Sequence, residues 1–539
     1  MTFEVRHRDM LARLGKISTK SGTIETPALL PVINPVIQPI SIETMRQEYS
    51  CDALITNAYI LMKRKATELR EGGVHRFLDF DRVIMTDSGA YQILIYGKVD
   101  VSPEEIVQFQ EQMASDIATI LDIPTGWRSS KKQAKITVDE TIKRAKQAMQ
   151  IITRKDILWV GPIQGGQHLD LVAYAAKEVG KLPFAIHALG SPTPIMENYL
   201  FDKLVDMIMS AKMNMPQHRP LHLFGAGHPF MFALAVALGC DMFDSAAYAI
   251  FARQNRYMTE YGSRRLDELE YFPCSCSVCR KNTPKEVRLL PSQERQEILA
   301  KHNLSASFAE LKRIKQAIIE GRLWEFLELR AHSHPALLQA TKRLKEYEAY
   351  LENFSPTTKN SGLFFFSHLG LVRPEITRHR KRLSERYSPP RNAEILILLP
   401  SPSKRPFHQA KEVIGLMERI QKKFGKKQEL FHICIYAAPF GVTPLELDEI
   451  YPLSQHEIAL PLDLESKKYV ASQVKGYIET FSYKRVILIE DPKVWKDTIS
   501  IACKSIKKPN FPITVFPIKE TFDKAAQNDI IGILQTSLI

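Results

Sequence analysis

The sequence predicts an α/β protein: a (β/α)8 TIM-like barrel with a cysteine-bearing insertion, followed by a smaller α/β C-terminal domain. Three observations carry this reading. Short apolar runs alternate with helical patterns from about residue 20 to 250. Nearly all of those runs end in a polar residue or a glycine. A second, separate alternation begins at residue 394.

In order, the first set is TPALLPVIN (26–34), ALITN (53–57), VIMTDSG (83–89), IATILDIP (117–124), ILWVGPIQGG (157–166), FAIHALGS (184–191), PLHLFGAGH (220–228) and CDMFDSA (240–246). The intervals leave room for one crossover helix between most pairs, which parallel strands require. Eight such units make a barrel of ordinary size. The run ends hold Asn57, Asp87, Asp122, Gln164, Gly190, Gly227 and Asp244. Asn, Asp and Gly are turn formers, so one such end means little. Several aspartate-ended strands in a barrel point instead to a shared polar pocket at the C-terminal rim.

Residues 271–350 carry cysteines and then become strongly helical, with LKRIKQAIIEGRLWEFLELRAH broken near Gly321. A first domain over 1–350 is followed by NFSPTTKNSG (353–362), which has linker composition. The stretch Arg373 to Arg391 is basic, and 351–393 is expected to be a basic linker region whose arginines either form a solvated face or meet phosphate. In the domain at 394–539, EILILLP (394–400), LFHICIYAAPFG (430–441) and YKRVILIE (483–490) read as strands, with helices near 408–424 and 465–480.

With 45% hydrophobic and 25% charged residues among 539, the chain is neither disordered nor fibrous. The longest apolar run, Phe230 to Cys240, is too short to cross a bilayer, and the N-terminus lacks a signal-like apolar stretch. A cytoplasmic protein without membrane contact is expected. The net charge of +13 favours a polyanionic partner, nucleic acid foremost.

Cys274, Cys276 and Cys279 form C-x-C-x-x-C in YFPCSCSVC, and His302 is the nearest downstream histidine. Three thiolates and one imidazole make a closed tetrahedral set, so one structural zinc ion per chain is expected. TDSGAYQ (86–92) and FDSAAY (243–248) each place an aspartate at a strand end before Ser and a small residue. Two carboxylates in one pocket can divide labour at a glycosidic carbon, one attacking and one moving the proton. Asp122 of LDIPTG and Gln164 of PIQGG suit the edge of a purine-like base. Tyr91 offers a face for stacking, and Ser88 follows the first carboxylate.

Together MTDSGAYQ, SDIATILDIPT, PIQGG, HLFGAGHP, FDSAAYAIFARQNRYMT and YFPCSCSVC resemble the tRNA-guanine transglycosylases, most of all their archaeal branch. The likeness is ordered and spans about residues 1 to 345. It implies a zinc-bearing (β/α)8 barrel, a pentosyltransferase acting on tRNA without organic cofactor. The archaeal members replace guanine 15 of the D-loop with 7-cyano-7-deazaguanine (preQ0), toward archaeosine. By motif, Asp87 and Asp244 are the catalytic carboxylates, with Asp244 attacking C1′ and Asp87 handling the proton. Ser88, Tyr91, Asp122, Gln164, Gly190 and Ser191 match base-binding positions. Cys274, Cys276, Cys279 and His302 match the zinc ligands.

Two departures stand out. Pro192 and Pro194 occupy the loop after the sixth strand, where a missing N–H alters backbone contacts to the base. The chain also ends at ILQTSLI with little room for an RNA-binding PUA domain, so no in-chain PUA domain is expected and a separate PUA protein is an expected partner, beside a homodimeric state. The region 394–460 resembles a domain of archaeosine synthase. Ser401 and Arg405 in PSPSKRPFHQAKE stand where that enzyme's motif has Cys and Lys, so amidotransfer there is not expected. The alternatives are a non-catalytic tRNA-binding subunit and a synthase paralogue. The presence of both aspartates argues against the first, and the altered motif against the second.

Overall fold

The computed structural model describes residues 3–34, 37–90, 92, 100–402, 404–506, 511–518 and 524–537. The chain divides into two compact units, Met1–Tyr350 and Leu351–Ile539.

The first unit contains the expected barrel. Its strands are β4 (Ala28–Pro31), β5 (Ala53–Asn57), β6 (Val83–Asp87), β7 (Ile117–Thr119), β8 (Leu158–Ile163), β9 (Ile186–Leu189), β10 (Leu221–Leu223) and β11 (Met242–Ser245). Each falls inside one of the eight apolar runs. They lie parallel in the order β4-β11-β10-β9-β8-β7-β6-β5. A parallel bridge between Val32 and Ile55 closes the ring, with the Ile33 N–H donating to the Ile55 carbonyl at 2.7 Å. Parallel strands covered on the outside by helices are buried on both faces, which explains runs that are apolar throughout rather than alternating.

Leu30, Ile55, Met85, Val160, Ile186 and Met242 fill the interior. Phe3, Ile17 and Ile24 join the same cluster. They come from β1 (Phe3–Asp9), β2 (Ala12–Ser18) and β3 (Thr23–Thr26), an antiparallel sheet that the sequence reading did not foresee. Because it packs on the strand-start residues Ala53, Val83 and Leu158, it closes the end opposite the carboxylates. Arg13 of β2 is buried against Asp241, its Nε donating at 2.9 Å, and so ties this sheet to the last barrel strand.

After the barrel, β12 (Arg256–Thr259) and β13 (Gly262–Arg265) form a hairpin. The cysteine loop follows, and then a long helix, Ser292–Glu320, that ends at Gly321 with φ near +70°. Only glycine takes that left-handed cap freely, so the break read near Gly321 is a true helix terminus.

In the second unit, β15 (Ile395–Pro400), β16 (Phe431–Ala437), β17 (Gly441–Pro444), β19 (Arg485–Glu490) and β20 (Ile513–Pro517) form a sheet ordered β17-β16-β15-β19-β20. Only the β16–β17 pair is antiparallel. Leu396 and Leu398 face one core, while Ile395, Ile397 and Leu399 face the other, so helices cover both sides.

The stretch 351–393, expected as a linker, is folded. Leu363–Phe365 (β14) pairs with His456–Ile458 (β18), and Pro374–Glu385 is a helix whose Ile376 is fully buried. Two of its arginines are structural. Arg373 is buried, donating to Glu375 and to the Phe364 carbonyl. Arg378 donates to the Glu352 carboxylate at 2.9 Å and to the carbonyls of Glu352, Ser355 and Pro356. A guanidinium with five donors can bury itself by tying off carbonyls, which a count of charges along the chain does not reveal. Neither residue is available to phosphate.

Candidate active site and metal centre

The barrel rim surrounds a cavity of about 1200 Å³, and Asp87, Asp122, Gln164, Gly190, Ser191 and Asp244 all line it. Their side chains converge because β5 to β11 are parallel and end at the same level. Ser88 is fully buried and is not part of the wall. Tyr91 lies outside the described residues.

The two strand-end aspartates sit in different surroundings. Asp87 Oδ2 accepts from Asn57 Nδ2 at 2.9 Å and from the Gly89 N–H at 3.3 Å. Burial, followed by the neighbouring carboxylates Asp122 and Asp244, pushes Asp87 up to about 7. Gly89 has φ near +98°, and a Cβ there would lie 2.4 Å from Tyr59 Cβ, so the turn presenting its N–H requires glycine. Asp244 Oδ1 is held from two sides, by His222 Nε2 at 2.9 Å and the Gly225 N–H at 3.0 Å. No hydrogen bond falls on its Oδ2 among the described residues.

Gln164 organises the opposite wall. Its Nε2 donates to Asp122 Oδ2 at 2.5 Å, and its Oε1 accepts from the Thr125 N–H and from Ser191 Oγ, both at 3.0 Å. Burial pushes Asp122 up to about 6, against the opposing effect of the Gln164 bond. A Cβ on Gly190 would lie 2.2 Å from Gln164 Nε2, so glycine alone fits beside that amide. Pro192 stands at the N-cap of a short helix, Thr193–Glu197, with Pro194 in its first turn. Backbone N–H groups there have no intrahelical partner, so proline costs nothing at these positions. The Gly190 N–H is taken by the Ile163 carbonyl at 2.9 Å.

Sequence reasoning missed two members of the site. His222 sits inside an apolar strand and reads as core. Asn57 was noted only as a strand end, although the β5–β6 register sets it directly beside Asp87. His222 could have been found by alternation, because it lies two residues before a loop that faces the rim.

Away from the cavity, Cys274, Cys276, Cys279 and His302 bring their ligand atoms within 4.8 Å of one another. His302 Nδ1 lies 3.3 Å from Cys279 Sγ and 3.7 Å from Cys276 Sγ. The His302 Nε2–H donates to the Met258 carbonyl at 2.8 Å, which leaves Nδ1 as the lone-pair nitrogen facing the sulfurs. Tyr257 stacks on the imidazole with centroids 3.5 Å apart, and its hydroxyl reaches Cys279 Sγ at 3.4 Å. This Cys3His group could hold a metal ion, and its donor set fits one.

A parallel barrel with a carboxylate pair and an amide-lined wall at its rim has the form of a (β/α)8 enzyme with its active site at the C-terminal ends of the strands. The chain belongs to the tRNA-guanine transglycosylase family, which are pentosyltransferases: the family model described as queuine tRNA-ribosyltransferase matches residues 9–336. A second model, a domain of unknown function, matches residues 376–525. Similar proteins include the tRNA-guanine(15) transglycosylase of Methanocaldococcus jannaschii, 42% identical over 87% of this chain and 70% of that protein. That of Saccharolobus solfataricus is 41% identical over 93% of this chain and 99% of its own length. The Sulfolobus acidocaldarius protein of the same name is 38% identical over 91% and 96%. No helix among the described residues is long and apolar enough to cross a membrane.

Proposed function

We propose that this protein is a tRNA-guanine(15) transglycosylase that exchanges the guanine for 7-cyano-7-deazaguanine through a covalent ribosyl–aspartate intermediate. The observation that carries the reading is the contrast between Asp87 and Asp244. Asp244 lines the cavity and is anchored through Oδ1 by His222 and Gly225, which leaves Oδ2 as the oxygen for attack. Asp87, near 7, gives and takes a proton at neutral pH.

Asp244 Oδ2 attacks C1′ as the bond from C1′ to the guanine nitrogen breaks, and the bonding pair leaves with the base. Asp87 supplies a proton to the departing base. The incoming deazaguanine then gives its ring N–H proton to Asp87 and attacks C1′, which releases the Asp244 carboxylate. Two inversions give net retention. Asp122 and Gln164 accept and donate along the base edge, and Gly190 and Ser191 keep the amide in place. Cys274, Cys276, Cys279 and His302 would hold one zinc ion that pins the cysteine loop to the helix Ser292–Glu320 and supplies no chemistry to the cavity. A cytoplasmic setting and a homodimer complete the reading, the latter checked by light scattering.

The test is denaturing electrophoresis of each variant mixed with unmodified tRNA, with and without added base. Asp244→Asn should form no covalent adduct. Asp87→Asn should form one slowly and turn over poorly. An adduct with Asp244→Asn but none with Asp87→Asn reverses the roles, and normal turnover in both ends the two-carboxylate mechanism.

A further inference from the structure

The basic stretch of the second unit has a use that its two buried arginines do not exhaust. Arg378, Arg382 and Arg386 recur every four residues, so they share one face of the helix Pro374–Glu385 and its C-cap. Arg378 is spent on Glu352 and nearby carbonyls. Arg382 and Arg386 are exposed, and no side-chain hydrogen bond or ion pair engages either guanidinium among the described residues. Both stand on the wall of a cavity of about 330 Å³. Leu383, Leu447 and Leu453 contribute its apolar lining, and Tyr451 adds an aromatic ring. The Tyr451 hydroxyl donates to the Ser361 carbonyl at 3.3 Å, which holds that ring in place. The nearby acids are already engaged: Glu375 with Lys359 and Arg373, Glu446 with Tyr387, and Asp448 with His408.

From this juxtaposition we infer that the cavity binds one unpaired nucleotide of the tRNA, its base against Tyr451 and the leucines, its phosphates on Arg382 and Arg386. An apolar, aromatic floor beside free guanidiniums is how unstacked bases are held. The cavity is at the small end of ligand pockets, too small for a duplex but sufficient for a single nucleotide. The choice of tRNA as the polyanion rests on the transglycosylase reading.

The experiment is tRNA binding by the full-length chain across a salt series. The probe is an unmodified tRNA transcript, and thermal melting checks each variant's fold. Arg382→Gln with Arg386→Gln should weaken binding about tenfold. The same change should flatten the slope of log affinity against log salt by about 1.4, roughly 0.7 for each lost phosphate contact. Tyr451→Leu, which removes the aromatic face but leaves an apolar side chain, should weaken binding about fivefold or more with the slope unchanged. Unchanged affinity and slope in a folded double variant overturn the proposal. A flattened slope with no effect of Tyr451→Leu overturns the nucleotide pocket and leaves only a charged patch. Wild-type protein that shows these dependences yet incorporates no base would overturn the transglycosylase reading while leaving the cavity's role intact.

Discussion

Asp87 and Asp244 sit in near-identical local sequences, TDSGAY and FDSAAY, and their different settings come from neighbours distant in the chain. Asn57 and Gly89 bind one carboxylate, while His222 and Gly225 bind the other. The raised Asp87 has a consequence for stability. Its folded value of about 7 lies well above the ordinary aspartate value of 3.8. The folded form therefore binds its proton more tightly than the unfolded chain. Its contribution is fully present below about pH 4 and is lost as pH rises through 7. Replacing Asp87 with Asn removes that loss. Asp87→Asn should melt above the parent at pH 8, by an amount on the order of 1–3 kcal/mol in stability, and should match it near pH 4. Calorimetry at the two pH values checks this, and an equal shift at both would assign the effect to packing instead.

At the scale of elements, the cysteine loop shows how a short segment without regular structure becomes rigid. Residues around Cys274 to Cys279 form turns with little core of their own, and three members of the set are only partly buried. What fixes them is His302, buried on a long helix and aimed by its bond to Met258 in β12. A metal ion held there would join loop, hairpin and helix, and folding free energy would then follow metal affinity. If the set holds the proposed zinc ion, Cys276→Ala is expected to abolish zinc binding and to lower the first unit's melting temperature by more than 10 °C, on the order of several kcal/mol. Elemental analysis and calorimetry of the same samples decide it. Zinc-free protein with parental melting would remove the structural role.

For the whole molecule, the chain folds as two units with separate cores. The second unit has a five-stranded sheet with a hydrophobic cluster on each face, which is sufficient for an independent fold. Residues 351–539 expressed alone should show one cooperative thermal transition by circular dichroism. A fragment cut at residue 394, as the linker expectation would have placed the boundary, should be less stable by several kcal/mol. It loses buried Ile376 and exposes the part of the core that Leu363 and Phe365 cover. Equal stability of the two fragments would restore the linker.

By itself the sequence determined the eight barrel strands, because parallel strands buried on both faces leave continuous apolar runs. It also marked the Cys3His group, because C-x-C-x-x-C is a local spacing, and the strand-end polar residues, because they follow those runs directly. The sheet formed by β1 to β3 was not legible, since its strands mix charge with apolar residues, as in FEVRHRD. Only the tertiary structure decided which neighbour each carboxylate meets. Barrel register sets Asn57 beside Asp87, and adjacent strands bring His222 to Asp244, pairings separated by 30 and 22 residues. It alone also separated Arg373 and Arg378 from Arg382 and Arg386. All four read alike as charges in a basic linker stretch, but burial depends on which carbonyls and carboxylates the folded chain brings within reach of each guanidinium.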